Sequence, residues 1–321
     1  MIDRRRFLAL LTACGAVTAV GPATAESYPN RPIKLIVPFA AGGGSDTTAR
    51  LIAEHLSRSF GQQVYVENRP GSSGMIGTEA AARSPADGYT VLVASDLVIA
   101  GPYILKMNID PLKELVPVIQ VARQPVVLAV HPSLGVNSVA ELIDLAKKRP
   151  GLGYVSTLAS PQHIVPQWFA RSAGIKLDLV PYRGGGLAIN DLIAGHVKIG
   201  SLGSAPLIPH YRSGVLRLLA QATEGRSPSL PEIPTYEEAG FPGLVLYQFY
   251  GAFVPAGTAS TIVARLNAEI DKALADPVIR EKLLQSGLEP VGGSAEQFSH
   301  RLHDDAVKYE RLVRELDIKA N

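Results

Sequence analysis

Twice along the chain, short β-rich runs alternate with longer helical patterns, and that repeated alternation limits the fold more than any other feature. Ile33–Val37, 63–67 and 90–94 read as strands, with helices over 46–58 and 76–82 between them. A β-α-β-α-β series of this kind makes a parallel sheet flanked by helices. The same grammar restarts with strands at 153–156, 177–180 and 198–202 and helices at 161–172 and 187–194. Between the two series lies the extended apolar stretch "PVIQVARQPVVLAV", residues 117–130, interrupted by Pro125. It reads as a strand that leaves one sheet and enters another. A second extended stretch, 244–254, is followed by helices at 258–275, 277–286 and 294–316. A chain of 321 residues also exceeds the roughly 250–300 at which one core stops growing. The expectation is two α/β lobes, each a mainly parallel sheet with helices on its faces. Residues 26–126 and 248–321 form the first, residues 127–247 the second, and the crossings near 124–130 and 244–250 act as hinges.

Residues 1–25 read as an export signal: Arg4–Arg6 form a basic region, 7–20 are apolar or small, and Ala23-Thr24-Ala25 fits a cleavage site. Arg4-Arg5-Arg6-Phe7-Leu8 resembles a twin-arginine pattern, and Leu11-Thr12-Ala13-Cys14 offers a competing lipoprotein box. Removal of this segment leaves 28 basic and 28 acidic residues of the 31 and 29 in the full chain. A near-neutral mature protein argues against nucleic acid as partner. Cys14, the only cysteine, leaves with the signal, and with it any thiol nucleophile or thiolate metal site. His300 and His303 are three apart with no further ligand in sight, so neither a metal nor a cofactor is expected.

The loop "PFAAGGGSDTTAR" places three glycines and two small polar residues between the first strand and its helix. Ligands of open α/β sheets bind at such loops, beyond the carboxyl ends of strands. Bare amides and the helix dipole favour an anion there. No lysine follows the glycines, which excludes a Walker loop, and "GGGSDTT" does not supply the dinucleotide fingerprint. A carboxylate needs only amides and hydroxyls, with Ser45 or Asp46 capping the helix. The second series has a counterpart in "YVSTLASPQH", and Ser95 and Ser204 follow two further strands. The loops hold no G-x-S-x-G elbow and no evident acid–base pair, so binding without chemistry is the better account. The alternative is a periplasmic hydrolase or isomerase with a serine in the cleft.

Several segments in register, "YPNRPIKLIVPFAAGGGSDTTAR", "VENRPGSSGMIG", "SPADGYTVLVAS", "VPYRGGGLAINDLIAGHV", "IPTYEEAGFPG" and "VPAGTASTIVARLN", closely resemble the Bug family of extracytoplasmic solute receptors of tripartite tricarboxylate transporters. The resemblance implies a periplasmic, two-lobed Venus-flytrap receptor that grips a small organic carboxylate and hands it to membrane permease subunits, for which a monomer suffices. It places Phe39, Ala40, Gly43, Gly44, Ser45 and Asp46 in the first carboxylate loop. Ser95 falls on the next cleft loop, Ser156, Thr157, Ser160 and His163 on the second-lobe loop, and Ser204 on a further one. Arg183 is a secondary candidate as counter-charge. Two stretches depart from the family pattern: Thr157-Leu158-Ala159-Ser160 lacks its two glycines, and "KIGSLGSA" lacks a phenylalanine and an aspartate. Loss of that acid removes a partner for a ligand ammonium, which points to a plain mono- or dicarboxylate without an amino group, a bulky or aromatic one included.

Overall fold

The computed structural model describes residues 28–105, 107–182 and 185–318. The export signal and Arg183 lie outside them. The first elements are β1 (Ile33–Val37), α1 (Gly44–Phe60), β2 (Val64–Asn68), α2 (Met75–Ala82) and β3 (Thr90–Ser95). These three strands pair in parallel, β2 to β1 to β3. Then follow α3 (Leu97–Ile104), α4 (Pro111–Glu114) and the long strand β4 (Leu115–Val130). The second series is α5 (Val139–Lys148), β5 (Leu152–Thr157), α6 (Pro161–Ala173), β6 (Leu177–Tyr182), α7 (Gly185–Ile193), β7 (Ile199–Gly203), α8 (Ile208–Arg212) and β8 (Arg217–Gln221). The last elements are β9 (Tyr247–Pro255), α9 (Ser260–Ala275), α10 (Pro277–Gln285), β10 (Glu289–Pro290) and α11 (Ala295–Glu315).

The strands form one continuous sheet in the order β2-β1-β3-β9-β4-β7-β5-β6, with β8 and β10 also on β4. Its outer thirds are parallel and its middle antiparallel. β4 is common to both halves: residues 115–125 pair with β9, and 126–130 pair with β7 and β8. Pro125, which cannot donate to a ladder, stands where the partner changes, and its carbonyl accepts from the Ser204 amide at 3.0 Å. The chain is thus two α/β lobes joined through β4 and β9.

The C-terminal helices pack against the first lobe, and α11 also reaches the second. A capping box starts this helix: Ser294 Oγ accepts from the Gln297 amide and Gln297 Oε1 from the Ser294 amide, satisfying two orphan groups at once. Phe298 packs edge-on against Phe249 and tilted against Phe253 of β9. Farther along, Lys308 Nζ donates to the Val245 carbonyl at 2.7 Å and lies 5.9 Å from the Trp168 ring. Arg171 of α6 donates to the Glu315 carbonyl.

Asp96, one residue beyond β3, knots these parts together. Its carboxyl accepts from the Phe249 amide at 3.2 Å and the Tyr309 hydroxyl at 3.0 Å, and it is 1% exposed. Burial pushes this carboxyl up to about 8 from an ordinary 3.8, so it stays protonated in the folded protein at neutral pH. The unfolded chain releases that proton near pH 4. The contribution of Asp96 is therefore full below pH 4 and lost as pH rises to about 8, at up to about 1.4 kcal/mol per pH unit. In the Asp96→Asn variant the side-chain amide can accept from the Phe249 amide and donate to the Tyr309 hydroxyl, and it carries no proton to lose. Urea unfolding of the wild type and this variant between pH 5 and 8 is expected to show the wild type losing stability relative to the variant as pH rises.

Candidate functional site

The glycine loop is open on one side and anchored on the other. Ala41, Gly42 and Gly43 are exposed, whereas Ser45 and Asp46 are buried. Gly42 has φ of +89°, a backbone state that costs glycine nothing. The helix cap differs from the expectation that Ser45 or Asp46 supplies it. Gly43 is the N-cap, and no side chain caps α1, because Asp46 sits within the first turn and its carboxylate turns back onto the loop. There it accepts from the Gly42 amide at 2.9 Å, Arg50 Nε at 2.9 Å and Asn68 Nδ2 at 3.0 Å. Burial pushes this carboxyl up, but the three donors outweigh it and hold it below the usual range. Asn68 Nδ2 also donates to the Phe39 carbonyl at 3.1 Å. Asp46 and Asn68 thus shape the loop while the first amides of α1, which have no intrahelical partner, meet no capping side chain.

The second loop is tied by its own hydroxyls. Thr157 Oγ1 donates to Gln162 Oε1 at 2.6 Å and lies 3.0 Å from Ser160 Oγ, and Ser160 Oγ donates to the Thr157 carbonyl at 2.7 Å. Ala159 has φ of +51°, a left-handed state that costs an alanine about 1–2 kcal/mol. The position where the resemblance leads one to expect glycine therefore keeps the glycine-like backbone. Ser160 precedes α6 without capping it, and Pro161 begins the helix.

Both loops converge on side chains of the two shared strands. The Tyr250 hydroxyl lies so close to Gly44 that a Cβ there would stand 2.2 Å from it. Ser95 is Tyr250's partner across the β3–β9 ladder. Gln124 Nε2 reaches both the Tyr250 hydroxyl at 2.5 Å and Gln248 Oε1 at 2.6 Å, while its Oε1 accepts from the Ala205 amide at 2.9 Å, next to Ser204. From the second loop, Gln162 Nε2 donates to the same Gln248 oxygen at 2.8 Å. One chain of hydrogen bonds thus runs from the wall of the glycine loop to Thr157 and Ser160. Sequence reading named the segments that hold Gln124, Gln248 and Tyr250 only as crossings and hinges, and it placed Gln162 within the second loop without singling it out. The available signal was a glutamine inside otherwise apolar strands, in "VARQPVV" and "LYQFYG".

Ser156 Oγ, His163 Nδ1 and Ser204 Oγ are buried with no hydrogen-bond partner. Burial holds the His163 imidazole down at about 4, so it is neutral at physiological pH and can donate or accept a hydrogen bond without bringing charge. Buried polar groups of this kind are rare unless water or a ligand satisfies them. Bare amides, hydroxyls and a neutral imidazole suit a small oxyanion. Among the described residues of these loops, nothing pairs a nucleophile with a base.

Fold and site together define a two-lobed solute receptor. The family model for the tripartite tricarboxylate transporter family receptor matches residues 48–318. Protein BugT of Bordetella pertussis is 35% identical over 99% of both chains. R. palustris Rpa4515, solved with adipate, superimposes with a TM-score of 0.87 at 34% identity, over 91% of this chain and all of that one. MatC from Rhodopseudomonas palustris, solved with bound malate, gives 0.82 at 27% identity over 89% of this chain and all of that one. The chain belongs to the tripartite tricarboxylate transporter receptor family, whose members are periplasmic binding proteins and not enzymes.

The contact with Tyr250 makes Gly44 the most constrained glycine of the loop. Gly44→Ala is expected to lower stability by about 1–3 kcal/mol through overpacking. Gly43→Ala, whose Cβ would meet nothing nearer than 4.0 Å, is expected to cost less, about 0.5 kcal/mol, because alanine is a poorer N-cap than glycine. Urea unfolding of both variants tests the difference.

Proposed function

We propose that the protein captures a small organic carboxylate between its lobes and delivers it unchanged to the permease subunits of a tripartite transporter. The observation that carries this reading is the exposed Gly42–Gly43 backbone at the uncapped start of α1, joined through Tyr250, Gln124, Gln248 and Gln162 to the hydroxyl loop of the other lobe. Amides of Phe39–Asp46 hold the carboxylate. Ser95 borders that loop, and Ser156, Thr157, Ser160, His163 and Ser204 face it from the second lobe. Asp46 serves as the clamp that shapes the loop, since a second carboxylate pointing at the ligand would repel it. The lobes comprise residues 26–126 with 248–321, and residues 127–247. They move about 124–130 and 244–250, and a monomer is sufficient. Residues 1–25 direct export.

The ligand is a mono- or dicarboxylate without an amino group. Relatives solved with adipate and malate support that reading, as does the commitment of Asp46, the acid of the glycine loop, to three donors of its own. Calorimetric titration and thermal unfolding with adipate, malate, succinate, aspartate and glutamate test it. At a hundred times its Kd a bound acid adds about 2.7 kcal/mol of stability, with the acid recovered intact. Tighter binding of aspartate or glutamate than of every non-amino acid would overturn the ligand class, and turnover of the acid would overturn the receptor role.

A further inference from the structure

Beneath the second loop lies a group of polar side chains that neither the loop network nor the fold uses. β5 and β7 pair in parallel through Tyr154 with Ile199 and Val155 with Gly200, so the next pair is Ser156 with Ser201. Tyr154 and Ile199 belong to the same core as Ile164, Val165 and Phe169 of α6, whereas Leu202 belongs to the core on the opposite face. By the two-residue period of a strand, Ser156 and Ser201 both face α6. His163 stands in the first turn of that helix. Ser156 is fully buried, Ser201 is 1% exposed and His163 5% exposed, yet Ser156 Oγ, Ser201 Oγ and His163 Nδ1 all lack a hydrogen-bond partner. Three unsatisfied polar atoms at the carboxyl end of two parallel strands, where such sheets bind ligands, mark a place prepared for a hydrogen-bonding group.

The chemistry of the three selects that group. Two hydroxyls donate and accept, the imidazole is neutral at physiological pH, and none of them is paired with an ion. An ammonium placed there would be a buried positive charge without a counter-ion at the N-terminal end of a helix, which is strongly disfavoured. A hydroxyl, with one donor and two acceptor lone pairs, can meet all three, and a carbonyl can accept from two of them.

We infer that Ser156, Ser201 and His163 form a subsite for an uncharged oxygen at the far end of the bound acid, so that the protein prefers hydroxy- or oxo-acids to amino acids and unsubstituted acids. The inference rests on the carboxylate-receptor reading above. Matched series test it by calorimetry: hexanoate, 6-hydroxyhexanoate, 6-oxohexanoate, 6-aminohexanoate and adipate, with the corresponding four-carbon set. In the chain length that fits, the hydroxy- or oxo-acid is expected to bind about tenfold more tightly than the unsubstituted and amino acids, the effect of roughly one good hydrogen bond. Ser201→Ala, and independently Ser156→Ala, should collapse that ratio, with thermal unfolding confirming that each variant is folded. Binding without preference, or a preference that survives both variants because the three groups merely hold a sealed water, overturns the subsite and leaves the carboxylate reading standing. A wild-type protein that binds no acid of either length removes the foundation of both.

Discussion

A strand that serves both halves of one sheet has to exchange its hydrogen-bonding partners without leaving a buried amide unpaired, and β4 solves this at Pro125. The residue carries no N–H, so the point where β9 gives way to β7 and β8 contains one donor fewer to satisfy. The neighbouring Gln124 uses its side-chain amide to stitch that seam, reaching Tyr250, Gln248 and the Ala205 amide. The seam also relates the two loops to one another, because the glycine loop packs against Tyr250 and the second loop bonds through Gln162 to Gln248.

The loops themselves use opposite means to the same end. In the first, freedom of the glycine backbone is offset by a buried carboxylate that collects Gly42, Arg50 and Asn68. In the second, Thr157 and Ser160 bind one another and Ala159 is held in a left-handed state. A strained residue persists only where its surroundings over-determine it, and here Ser160, Pro161 and the glutamine node do so. Backbone donors fixed in advance need not reorganise when an anion arrives, which favours binding.

Much of this was legible in the residues. Hydrophobic periodicity located β1 to β3, β5 to β7 and the helices α1, α2, α6 and α7 to within a few residues, because period and turn chemistry agree in those segments, but it left α5 and the short α8 unread although Ser138 caps an amphipathic run at α5. It passed over α3, whose sequence LVIAGPYI is apolar on all sides and contains Pro102, so no amphipathic stripe betrays a helix. It also passed over β8, a short apolar run among loops. Within the site, glycines and hydroxyls announce a loop by composition alone. The glutamine node does not, since its members lie in different elements, as much as 124 positions apart in sequence, and only the pairing of β4 with β9 brings them together. The left-handed Ala159 was equally hidden, for alanine gives no sign of such a backbone.

Helix α11 sets a geometric limit on any motion of the lobes. Phe298 and Tyr309 hold it to β9 and Asp96, while Lys308 and Glu315 reach Val245 and α6 of the other lobe. A rotation that preserves these contacts must pivot close to the helix, so that the separation it produces grows with distance from that edge. The C-terminal segment has the place of a book's spine, and such a rotation would part the pages along the side that it does not bind.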